Sequence, residues 1–524
     1  MPAPHFARGS TRAARGERDR RRDGMPSRHG SPAASGQHAP TPAPRLPYTA
    51  RVRRAVVLLA LVALASLPAA CKGSSSSGAR GGAAASAARK PAAPSDVVAA
   101  ILDGLASDHE ESQKSARKML DDLVDEGLRP ADGVALIRGT DRRFPKPDAG
   151  IVSPQADILR AVAKSPDPSF VFPVHEVFPQ LDGRAKTAAL ELLAAVDTPE
   201  AALTFVDLVK FGASESPELE VSAPAFDESH HHAEILFPAL LDAAHGEAAD
   251  GIGRLALSYA GEGLLRGDDL VGHTGPVLAE YGRLHARLAP LQRGPDAGTA
   301  WVAQEDYSDA RATAGVLLDL FGWIPSPDTD RALHEALSLR DPRLVGYATA
   351  SLVRRGATVP PPAFELAAAS AESRASLFEM LSDQERGDLF PARWATQAAL
   401  AESVLVRWLE FPTELGRPPT AIQLMKVVSE DVAGDHGIMD WYLFRFRSTD
   451  DDWKKHGWMA GVAGPFERKS EPTTRDWGDT FSEFEEWASQ SPEAHVASVR
   501  ETIAQWREKQ KQEQEQQEKE QQEP

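Results

Sequence analysis

The sequence predicts a mainly α protein: an α-solenoid of stacked helix pairs followed by a small α+β C-terminal domain. Three observations predict it. Short amphipathic segments separated by Pro, Gly and Asp recur through the middle of the 524-residue chain. Eight of the ten Trp lie in the last quarter, which marks a second core. Three runs with strand-like alternation follow one another in that same quarter.

The helical elements come first. From Gly183, the residues Ala185, Ala188, Ala189, Leu192 and Leu193 recur at helical spacing. Asp197-Thr198-Pro199 then breaks the chain, with Thr198 placed to cap the next helix and Pro199 suited to its first position. Leu203, Val206, Leu208 and Val209 give that helix its apolar stripe. The form returns with Ala310, Ala314, Leu317, Leu318 and Phe321, a break at Pro325–Asp328, and a partner carrying Ala332, Leu333, Ala336 and Leu337. Asp341-Pro342 starts a third segment with Leu344, Tyr347, Ala348, Ser351 and Leu352 on one side, and Gly356 ends it in the left-handed conformation. A weaker copy, with Ala156, Leu159, Ala161 and Val162, runs from Pro154 to Phe178.

A lone helix pair of this size cannot bury its own apolar face, and stacking pairs side by side solves the problem. The units Gly183–Phe211 and Asp341–Ser370 resemble HEAT-type repeats, a resemblance that covers roughly residues 95–400 with an irregular period. Residues 213–232 read as an inserted loop. Glu215, Glu218, Glu220, Asp227 and Glu228 make it acidic, and His230, His231 and His232 close it. Long loops on repeat proteins often carry binding roles.

The C-terminal part is predicted as an antiparallel meander of Ala421–Ser429, Met439–Ser448 and Trp458–Phe466, with Gly461 and Gly464 allowing close backbone approach. Thr480 and Glu483 have capping-box spacing ahead of Phe484 and Trp487. Ser491-Pro492 opens a last helix with Val496, Val499, Ile503 and Trp506 on one side. Both helices are expected to pack on one face of the sheet.

The N-terminus has a different character. Residues 1–54 hold twelve Arg and three acids, a net of +9, while the whole chain carries −18 and residues 55–71 carry nothing. The part after Cys71 therefore carries −27, since −18 − 9 = −27. A body that acidic repels nucleic-acid phosphates and anionic headgroups, so no nucleic-acid partner is expected. Arg51, Arg53 and Arg54 precede a thirteen-residue apolar run, Ala55–Leu67, too short to span a bilayer. Pro68, Ala69, Ala70 and Cys71 follow, then Lys72 and a Gly/Ser-rich stretch. Charged region, apolar region and small-residue site are the parts of a secretory signal. Cys71 is the chain's single cysteine, which excludes an intrachain disulfide and a Cys-based zinc site.

Leu67–Cys71 resembles the bacterial lipoprotein signal, with Pro68 departing from the aliphatic residue usual at its place. The resemblance implies that Cys71 is lipidated and becomes the mature N-terminus, and that Lys72 sends the protein to the outer membrane, facing periplasm or surface. The organisation expected is a leader and signal over residues 1–71, a flexible linker over 72–94, helical repeats over 95–403, the Trp-rich α+β domain over 404–508 and a Gln/Glu-rich tail over 509–524.

Catalytic signatures are missing. The sequence holds no P-loop, dinucleotide fingerprint, Gly-x-Ser-x-Gly elbow or His-Glu-x-x-His helix, so no catalytic residue and no cofactor is predicted. His230–His232 with Glu234 or Asp227 would be a metal set. Adjacent histidines on a helix point apart, however, so the run is read as a solvated helix start with no metal. Asp435, His436, Asp440 and His456 are read as turn chemistry around the meander. Trp441, Trp453, Trp458 and Trp477 could form an aromatic platform for a glycan or peptide, although aromatic residues at alternating strand positions are more often core. Arg445 and Arg447 share a face with Trp441, which makes Trp441, Arg445, Arg447 and Trp458 the candidate ligand surface. Two functions are compatible with these readings. One is a non-enzymatic, membrane-tethered scaffold that binds other envelope proteins. The other is a C-terminal domain that binds or hydrolyses cell-wall or surface polymers.

Overall fold

The computed structural model describes residues 93–145, 153–216, 218–292, 305–411, 414–432, 437–448, 457–469, 471–475 and 486–522. Cys71, the signal and almost all of the expected linker lie outside them. The protein is mostly helical, with a small three-stranded antiparallel sheet near its C-terminus.

Several helices begin and end where capping chemistry dictates. Thr198 accepts a hydrogen bond from the Ala201 amide at 3.2 Å, and Pro199 opens the helix Pro199–Glu215. Ser326 and Thr329 cap each other reciprocally at the start of Pro327–Ala336. Asp341 accepts from the Arg343 and Leu344 amides ahead of Pro342–Arg354. Gly356 ends that helix at φ +70°, and the Ala357 amide reaches back to the Leu352 carbonyl, the wide closing bond of a Schellman end.

The helices pack on others near them in sequence, as often on the second or third helix along as on the adjacent one. Gly183–Val196 lies between Pro154–Ala163 and Pro199–Glu215. Glu305–Phe321 packs on Ala248–Gly261, Thr274–Leu291 and Pro342–Arg354. Pro342–Arg354 in turn packs on Pro361–Ala369 and Ala371–Ser382, and the latter packs on Gln397–Leu409. One apolar core runs through these contacts from Val98 to Leu400.

Two expectations fail in this region. Leu203 does not join its helix's apolar stripe and is 56% exposed; Ala201, Ala202, Phe205, Val206, Leu208 and Val209 supply the buried face. Residues 213–232 are not a free loop. The preceding helix continues to Glu215, a short helix forms at Pro224–Ser229, and Leu219, Val221, Ala223 and Phe226 are buried. Among the acids of this segment, these four apolar residues are spaced to reach the core. Gly251 allows the approach, since a Cβ there would lie 1.9 Å from the Val221 carbonyl oxygen.

The meander is present, with the order β1–β2–β3 over Ala421–Val432, Gly437–Arg447 and Met459–Glu467. Its ladders are antiparallel, and each carries one irregularity in register. Gly461 and Gly464 do sit where a Cβ would collide, with the Phe446 ring and the Asp440 carbonyl respectively.

The sheet is covered on both faces rather than one. Tyr442, Phe444 and Phe446 pack with Ala401, Val404, Leu405 and Leu409 of Gln397–Leu409. Met439, Trp441 and Leu443 pack with Val499 and Ile503 of the last helix, Pro492–Gln522. Gln397–Leu409 thus contributes Leu400 to the large helical core and four residues to the sheet's core. That helix spans the division expected at residue 404. The last helix also continues through most of the stretch expected as tail. Thr480, Glu483 and Phe484 fall outside the described residues, and Trp487 lies in a single 3-10 turn, Trp487–Ser489.

Candidate functional site

Strand alternation and the length of the last helix determine what remains of the Trp/Arg surface. Trp441 is fully buried at 0% exposure, under Val499 and Ile503, and is removed from the candidate ligand surface. Its ring is large and apolar, and the covering helix makes that sheet face a core rather than a platform. Arg445 and Arg447 follow on the same strand, where their guanidinium carbons stand over the Trp458 ring at 4.6 and 5.4 Å from its centroid. Arg445 also donates from Nε and Nη2 to the Gln423 side-chain oxygen, at 2.9 and 2.6 Å. Arg447 is exposed, while Arg445 and Trp458 are half-buried. Two guanidinium groups on one indole make a cationic ridge that suits a carboxylate or other anion. Trp453, Trp477, Asp435, His436 and His456 lie outside the described residues. Asp440 is described and buried, and Arg468 holds both its oxygens at 2.9 and 2.5 Å, so it ties β2 to the chain leaving β3.

The histidine run is not a helix start. Pro224–Ser229 ends before it and Ala233–Leu236 begins after it. His230 and His232 both have left-handed backbones, at φ 53° and 59°, and so does Asp197, at φ 49°. Non-glycine residues are uncommon there, and such conformations cluster at sites the surrounding structure holds in place. The alternating backbone turns His231 and His232 toward one carboxylate, which is neither Asp227 nor Glu234 but Asp197. His231 Nδ1 lies 2.6 Å from Asp197 Oδ2, and His232 Nε2 lies 3.3 Å from Asp197 Oδ1. His230 turns away and pairs its Nε2 with Ser258 Oγ at 2.7 Å. The Tyr259 hydroxyl donates to the His231 carbonyl at 2.5 Å and fixes the loop from below. Burial pushes the Tyr259 hydroxyl pKa upward, and the nearby charges of Asp197, Asp227 and Glu234 add to the shift. Asp197 was legible only as part of a helix break. Nothing in the sequence pairs it with a histidine 34 positions later.

A second cluster escaped sequence reasoning altogether. Arg311, fully buried, contacts Asp341 through Nε at 2.5 Å and Nη2 at 2.9 Å. Asp341 also accepts from the Tyr307 hydroxyl at 2.8 Å. Arg343 reaches Glu410 at 3.1 Å, and Glu372 lies 3.6 Å from Arg311. Three carboxylates thus share two guanidinium groups in the core. Burial drives the Glu372 carboxyl well above its ordinary range and raises that of Glu410 from 4.5 to about 7, against the pull of Arg343 and Arg311. The cluster links Glu305–Phe321, Pro342–Arg354, Ala371–Ser382 and the end of Gln397–Leu409.

Among the described residues no helix is long and apolar enough to cross a membrane. No protein-family profile, curated protein or solved structure matches this chain.

Proposed function

We propose that this chain is an exported, lipid-anchored scaffold whose HEAT-like stacked helices hold a protein partner at the cell envelope, without catalysis of its own. The observation that carries this reading is the packing of helices on others near them in sequence, which leaves apolar side chains uncovered on the stack. Phe172 is 63% exposed, and Leu203 and Phe211 are 56% and 42% exposed on the helix that its own helix packs against. Helical solenoids offer long surfaces for proteins. The lipoprotein-like signal ending at Cys71 supports an anchor that keeps such a surface near a membrane, since thirteen apolar residues alone would not span one.

The test is affinity capture from envelope extracts with the intact chain, the Phe172→Glu/Leu203→Glu variant and Cys71→Ser. A defined partner held by the intact chain and lost with the glutamates supports the reading. Cys71→Ser should leave the membrane fraction while keeping the partner. No partner under several detergent and salt conditions would remove the scaffold, and unchanged membrane retention of Cys71→Ser would remove the lipid.

The Arg445–Arg447–Trp458 ridge favours a second reading, in which the sheet region binds an anionic wall or surface polymer. Co-sedimentation with purified cell wall that does not weaken in Arg445→Ala/Arg447→Ala would discard it.

A further inference from the structure

We propose that Asp197, His231 and His232 form a binding site for a divalent transition-metal ion, zinc in the first instance. The site is independent of the scaffold reading above. Its donor set is two imidazole nitrogens and one carboxylate, which suits borderline ions such as Zn2+, Co2+ and Ni2+ rather than Ca2+ or Mg2+. Among the described residues these three offer donor atoms lying within 4.8 Å of one another.

Geometry supports an ion between them. Bonds of about 2.0–2.1 Å in a tetrahedral site separate ligand atoms by about 3.3 Å. The distance from His232 Nε2 to Asp197 Oδ1 is already 3.3 Å. Both atoms are buried and neither has a hydrogen-bond partner, so they face each other without a satisfying bond. His231 Nδ1, at 2.6 Å from the other carboxylate oxygen, needs only to open by a fraction of an ångström. Its side chain is 62% exposed, which leaves the fourth position to water. Support comes from behind the ligands: Tyr259 holds the His231 carbonyl, Phe226 packs edge-on against the His232 ring, and three left-handed residues fix the directions of the donors. Asp227 and Glu234, near Tyr259, add negative field that favours a cation.

The experiment is calorimetric titration of the full chain with Zn2+, with Co2+ absorption as the spectroscopic arm. The variants are Asp197→Asn and His232→Asn, because asparagine tolerates the left-handed backbone at these two positions, and His231→Asn. The exposed His231 can be changed without threatening the core. His273→Ala, which removes a separate His–Asp pair at 3.0 Å, is the control. One Zn2+ per chain is expected, weakened at least tenfold in each of the three variants and unchanged in the control. Co2+ should give the visible bands of a four-coordinate site in the intact chain and lose them in His231→Asn. No binding to the intact chain, or one-to-one binding that survives all three substitutions, would overturn the proposal.

Discussion

Buried Glu410 is the residue whose ionisation most directly reports the state of the core. Its carboxyl, 3% exposed beside Arg343, titrates near 7 in the folded protein against 4.5 for the free group. A carboxyl raised on folding binds its proton more tightly in the native state. Its stabilising contribution is therefore full below about pH 4.5 and lost as pH rises toward 7. Glu372 is shifted in the same direction and adds to the trend. Glu410→Gln should abolish much of this dependence, gaining on the intact chain by roughly 2–3 kcal/mol between pH 5 and pH 8 in denaturant titrations. An equal pH slope in both proteins would show that Glu410 is ionised throughout. At the same scale, Trp441 is a core residue. Trp441→Ala should cost about 3–5 kcal/mol in chemical unfolding, whereas Arg447→Ala, at the exposed ridge, should cost less than about 1 kcal/mol. Comparable losses in the two would place Trp441 back on the surface.

Elements were legible to the extent that local chemistry determines them. Thr198, Ser326, Asp341 and Gly356 marked helix boundaries because capping acts over three or four residues. The three strands followed from alternation, with ends off by at most three residues. What failed depends on contacts distant in sequence. Alternation along β2 does not say that a helix sixty residues later covers Trp441, and an acidic stretch does not advertise that Leu219, Val221, Ala223 and Phe226 reach the core. The candidate ligand surface was half legible for this reason: Arg445, Arg447 and Trp458 do meet, and Trp441 does not join them. The Asp197–His231–His232 cluster and the Arg311–Asp341 pair were invisible, since each joins residues of different elements at least 30 positions apart. The packed segment after Glu215 gives a direct check. Gly251→Ala forces a Cβ into the Val221 carbonyl, and unfolding measurements should show a loss of about 2–3 kcal/mol together with faster proteolysis between residues 215 and 232. A neutral substitution would mean that this segment does not rest on Ala248–Gly261.

For the whole molecule, we propose that each helix in residues 95–403 is shielded mainly by helices near it in sequence, as in a solenoid, which would leave an extended surface for a partner. In such an arrangement stability is a sum of local and nearest-neighbour contributions, and damage spreads outward from where it is made. The large core running from Val98 to Leu400 is then a chain of local contacts rather than one centre. Amide hydrogen exchange on the intact chain and on Leu192→Ala decides between these. Leu192 is fully buried in Gly183–Val196, and its truncation should cost about 2–5 kcal/mol locally. Protection should be lost most in Pro154–Ala163, Gly183–Val196 and Pro199–Glu215, falling off with distance in sequence and leaving Pro342–Arg354 and Ala371–Ser382 unchanged. Equal loss of protection across all of these helices would contradict the proposal.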